Sequence, residues 1–117
     1  MTIVATMLLA GAPIQTQADL NQRALDAWGQ ADAAMNAQYR VTMAAMKRLD
    51  GDPSPDNRLG YAAAMLASQR AWLSFRDADC VVEGYGMRGG SAEPAERSFC
   101  MTRLTRARTS WLKAQTR

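Results

Sequence analysis

Cys80 and Cys100 are the residues of this sequence with the widest chemical reach. They sit in a stretch, RDADCVVEGYGMRGGSAEPAERSFC at 76–100, that is charged at its start and glycine-rich in its middle. Such a pair can work as a redox couple, clip a metal or close a staple. Nineteen residues separate the two, which matches no CxxC redox or haem-attachment spacing, and two cysteines alone do not complete a tetrahedral thiolate site. In an oxidising compartment a disulfide is the natural reading. The chain contains no histidine. That removes Ser/His/Asp and Cys/His nucleophilic arrangements, histidine-liganded zinc and the usual general base near neutral pH.

Carboxylates and thioethers are the other groups with chemistry to offer. Two acids held at different protonation states can do acid–base work, but no nucleophile or metal constellation accompanies those of this chain. Charge compensation of arginine is therefore the reading carried forward, and the protein is expected not to be an enzyme. The eight methionines suit Cu(I) through their sulfur. Met35, Met46 and Met65 nevertheless recur on helical apolar faces, where filling a core is the commoner role. No metal or cofactor is expected.

The elements that must position these residues are helical. Alanine is abundant, β-branched residues are scarce and aromatics make up 7% of the 117 residues, so local propensity favours helix throughout. Thr16 opens TQAD, in which Thr16 and Asp19 have the spacing of a capping box. From there Leu20, Ala24, Trp28, Ala31, Met35, Tyr39, Met46 and Leu49 form one apolar face until DGDPSP at 50–55 ends the helix. Ser54 and Pro55 predict a second helix from about residue 55, with Leu59, Ala62, Leu66, Leu73 and Cys80 inward and Met65 and Trp72 adjoining. Gly84 and Gly86 end it. A third helix is expected from about Glu93 and Pro94, with Cys100, Leu104, Ala107, Trp111 and Ala114 on its apolar side. The fold class is all-α: a long antiparallel helix hairpin plus a third helix packed on it. Residues 16–117 form one domain, because the chain is too short for two separate cores.

Polar residues interrupt the apolar seams. Gln69 and Arg76 project between the inward residues of the second helix and need partners if buried. Asp32 and Asn36, four apart at the border of the first apolar face, are the nearest candidates. Arg76 is expected to pair with a carboxylate, Asp32 or one of Asp77 and Asp79. On the third helix Arg103, Arg106, Lys113 and Arg117 share a stripe. It reads either as a solvated basic face suited to a helix C-terminus or as a site for anionic glycan or lipid headgroups. No aromatic residues interleave with these charges on the exposed side, so a nucleic-acid partner is not expected.

Net charge is +3 and the pI is near 9.2, which biases association towards anionic surfaces without naming a partner. Residues 1–15 begin with an uncharged apolar run, MTIVATMLLAGAPI. The run has the hydrophobic part of a secretory signal but not its basic start, and it is too short to span a bilayer. A signal-peptide remnant and export are the expectation.

The segments QRAWLSFRDADC at 69–80, GGS at 89–91 and CMTRLTRAR at 100–108, with TQADLNQ at 16–22 and ADAAMNAQY at 31–39, resemble the lysozyme inhibitor LprI-like family. The resemblance implies a small helical protein of the bacterial periplasm or envelope, a Cys80–Cys100 disulfide, and a binding partner that is lysozyme or another envelope protein. Many members carry a second cysteine pair near the start of the first helix. Here Arg23 occupies the corresponding position and no lipobox cysteine is present, so neither a second staple nor lipid anchoring is expected. The candidate partner surface is the 84–92 loop with Asp77, Asp79, Glu83, Arg88 and Ser91.

Overall fold

The structure is a computed structural model that describes residue 2, residues 15–52 and residues 56–116. Three helices are present, α1 (Gln17–Leu49), α2 (Tyr61–Gly84) and α3 (Glu93–Ala114), with a single turn of 3₁₀ helix at Tyr85–Met87, and there is no strand among the described residues. Asp32 meets Arg76 and Asp50 meets Tyr61, so α2 returns antiparallel to α1. Asn21 meets Ser91 and Thr42 meets Leu112 at the same offset of 70 residues, so α3 runs parallel to α1. The architecture is the antiparallel hairpin with a third helix, stapled by the Cys80–Cys100 disulfide. α3 is the chief neighbour of both other helices.

α1 forms where the sequence places it because both halves of its capping box are made. The Thr16 hydroxyl accepts from the Asp19 N–H and the Asp19 carboxylate accepts from the Thr16 N–H, each at 3.1 Å. At 33 residues it is about 50 Å long. Its inward positions keep a three–four spacing from Ala24 through Trp28, Ala31, Met35, Gln38 and Thr42 to Ala45, the seam expected of near-parallel helices. The alanines admit close approach, and Met35, Met46, Met65 and Leu112 fill the core with Tyr39, Met43, Ala62, Trp72 and Leu73 around them. The methionines thus serve as filler for an irregular gap. A second cluster joins Cys80, Cys100 and Met101 under Trp28 and Leu104.

Several expectations need correction: Leu20 and Leu49 at the two ends of α1 and Leu66 of α2 are exposed, not inward. α2 begins at Tyr61, not near residue 55, and Leu59 precedes the helix and is 72% exposed. Its N-cap, Gly60, has no side chain. The Asp50 carboxylate crosses from the end of α1 and accepts from the N–H groups of Tyr61 at 2.7 Å and Ala62 at 3.0 Å. Those first-turn donors have no partner within their own helix, so the capping group arrives from the chain it packs against. Ser54 and Pro55 lie outside the described residues. On α3 the buried stripe is Met101, Thr105, Arg108 and Leu112, whereas Ala107, Trp111 and Ala114 are exposed. The face is rotated because its core positions are occupied partly by polar and charged groups that find partners there.

Candidate functional site

At the α2–α3 end the chain reverses through a braced turn. Gly84 is buried, the 3₁₀ turn follows, and Gly89 adopts φ +76°, a left-handed conformation that favours glycine. The Gly89 N–H donates to the Glu93 carboxylate at 2.8 Å, and Asn21 on α1 donates to the Ser91 carbonyl at 2.9 Å. Backbone bonds from Arg88 to Tyr85 and from Gly90 to Met87 close the turn locally. Below it Cys80 and Cys100, both fully buried, tie α2 to α3 with their Cα atoms 5.4 Å apart. What faces outward is Tyr85, Met87 and Arg88, the guanidinium stacked 4.6 Å from the Tyr85 ring centroid. Ser91 is exposed at its flank.

Further down the bundle two arginines occupy the core. Arg76 is 6% exposed and donates to Asp32 at 3.1 Å, to Asp77 at 3.0 Å and to the Thr105 hydroxyl at 3.2 Å, between the rings of Trp28 and Trp72. Asn36 reaches the second Asp32 oxygen at 3.4 Å from an exposed position. Gln69 is buried but turns away from this group. Its amide nitrogen meets the Met35 sulfur at 3.7 Å, and its oxygen accepts from Arg108 Nε at 2.9 Å. Asp32, Asn36 and Arg76 therefore come together, while Gln69 serves a different arginine.

Arg108 is 8% exposed; it also donates to the Ser68 hydroxyl at 2.9 Å and stacks on Trp72 and Trp111 at 5.4 and 4.1 Å. Burial lowers its pKa from the ordinary arginine value, the direction expected when a cation leaves water. Sequence reasoning passed over Arg108. The signal that identified Arg76 was available for it too, since Met101, Thr105, Arg108 and Leu112 recur at four, three and four.

The surface charges are partly spent. Asp77 is taken by Arg76, and Glu83 is paired with Arg103 across α2 and α3. This leaves less free negative charge beside the turn than the acids alone suggest, and it removes Arg103 from the basic stripe. Arg106 and Lys113 are exposed and make no ion pair with a described residue, and Arg117 lies outside the described residues. Asp79, Glu83 and Cys100 bring ligand-type atoms within 4.8 Å of one another. Because the Cys100 sulfur is in the disulfide and Glu83 holds Arg103, this cluster offers no thiolate and one carboxylate, Asp79, that makes no ion pair with a described residue.

No helix among the described residues is long and apolar enough to cross a membrane. The family described as "Lysozyme inhibitor LprI" matches residues 10–112. A protein of Rhizobium meliloti (strain 1021), described as uncharacterized, is 43% identical over 101 residues, covering 84% of this chain and 72% of that protein. No solved structure matches.

Proposed function

The chain belongs to the lysozyme inhibitor LprI family, and from that premise we propose that it is an exported, non-enzymatic binding protein that blocks a lysozyme-like muramidase with its 84–92 turn. The family match over nearly the whole chain carries this reading, and the braced turn supports it. Tyr, Met and Arg are residue types enriched where proteins meet. A turn already fixed by a disulfide, a carboxylate and an asparagine loses little freedom on binding. Muramidases cleave with a pair of acidic side chains, and Arg88 offers a guanidinium that such a cleft would accept. Ser91, Asp79 and the paired Glu83 form the flanks of this surface, whereas Asp77 lies about two helical turns further down α2 on Arg76. The disulfide fits an oxidising compartment such as the periplasm.

Cell-wall lysis by several lysozyme types, with and without the purified protein, tests the reading. Slowed lysis that Arg88→Ala restores supports it; lysis at full rate with every lysozyme type refutes it. A second reading rests on Arg106 and Lys113, which are free to meet an anionic glycan or lipid headgroup. Binding of that kind weakens steeply with salt, so retention on anionic vesicles that survives high ionic strength would count against it.

A further inference from the structure

At the end of the bundle away from the turn, the last turn of α1, the start of α2 and the last turn of α3 enclose an open groove of about 560 Å³. This lies in the ~300–1,000 Å³ range that takes small ligands. Leu49, Tyr61, Met65 and Trp111 make its walls apolar, and the first two and Trp111 are exposed there. Two of its lining residues, Ser68 and Trp111, are among the groups that hold Arg108, by hydrogen bond and by stacking, so the guanidinium lies directly behind the groove wall without itself lining it. Arg108 is buried, bonded only to neutral groups through Nε and Nη2, and has no carboxylate within ion-pair distance among the described residues.

We infer that this groove binds a single-chain amphiphile with a carboxylate head, its alkyl chain along the apolar walls and its carboxylate at Ser68, drawn there by the Arg108 guanidinium behind that wall. A buried cation left without a counter-ion favours an anion over a neutral group. Asp50, an acid at this end, already accepts from two backbone N–H groups of α2. A second copy of the chain is the poorer occupant, because a two-fold contact over the groove would bring two uncompensated guanidinium sites towards one another.

Titration of the full chain with decanoate and with decan-1-ol, followed by calorimetry, tests the inference. Decanoate is expected to saturate at one molecule per chain, about tenfold or more tighter than the alcohol, the range of a hydrogen bond to a charged partner. Ser68→Asp supplies Arg108 with a carboxylate, and Ala64→Trp fills the groove from an exposed position. Each should weaken decanoate about tenfold or more while circular dichroism and melting stay near those of the parent. Absence of saturable binding, equal affinity for acid and alcohol, undiminished binding by Ala64→Trp, or a dimer that Ala64→Trp dissociates would overturn it.

Discussion

At the turn end Cys80 is bonded to Cys100 and the connecting loop is tied to both α1 and α3, and in the middle of the bundle, on the turn side of Trp72, Arg76 is held by two carboxylates. At the opposite end α2 is capped from α1 by Asp50 and an apolar groove stands open, and on the groove side of Trp72 Arg108 is held by an amide, a hydroxyl and two indoles. The two arginines are buried to nearly the same depth and stand the same 5.4 Å from Trp72. What distinguishes them is the source of compensation. Ion pairing fixes Arg76, whereas neutral donors, acceptors and ring faces leave the Arg108 charge available to a further anion. One end is thus built to present a fixed shape, the other to accept something.

The largest expected effect is at the turn. Reducing the disulfide, or Cys80→Ala with Cys100→Ala, should lower stability by about 3 kcal/mol, because a closed loop of this size restricts the unfolded chain. Urea melts with and without reductant measure it, and an unchanged midpoint would break the contrast between the ends. Arg76→Met comes next, at about 2 kcal/mol. It removes a buried ion pair and two ring contacts, although Asp32 and Asp77 are exposed enough to regain water. Arg108→Met should cost less, about 1 kcal/mol, since an apolar replacement of an uncompensated buried cation is often close to neutral and the main loss is at Gln69 and Ser68. A cost for Arg108→Met equal to that for Arg76→Met would remove the distinction.

The smallest effect concerns the α1 cap. The Thr16 N–H, and then its hydroxyl, hold the Asp19 carboxyl below its ordinary value. A depressed folded pKa contributes stability above the unfolded value and loses it as pH falls through the folded one. Asp19→Asn should therefore destabilise slightly at neutral pH, with the difference from the parent vanishing in strong acid. A difference that persists there would assign the effect to something other than charge.

Much of the fold was legible because it is written locally. Thr16 and Asp19 are three apart, Gly84 and Gly86 interrupt α2, and Pro94 stands in the first turn of α3. Gln69 and Arg76 were legible as polar residues in a seam because hydrophobic neighbours flank them. The start of α2 was not, since its cap comes from Asp50, eleven residues before Tyr61 and across a helix junction. The α3 face was misread for a related reason. Thr105 and Arg108 look like surface residues until Arg76, Gln69 and Ser68 on another helix supply their partners.

A single wall-lysis assay comparing the two ends tests the account most directly, using the parent protein, Arg88→Ala in the turn and Ala64→Trp in the groove. The account predicts that the parent and Ala64→Trp slow a muramidase alike and that Arg88→Ala does so much less. Full-rate lysis with the parent, or a loss of inhibition by Ala64→Trp as large as that by Arg88→Ala, would contradict it.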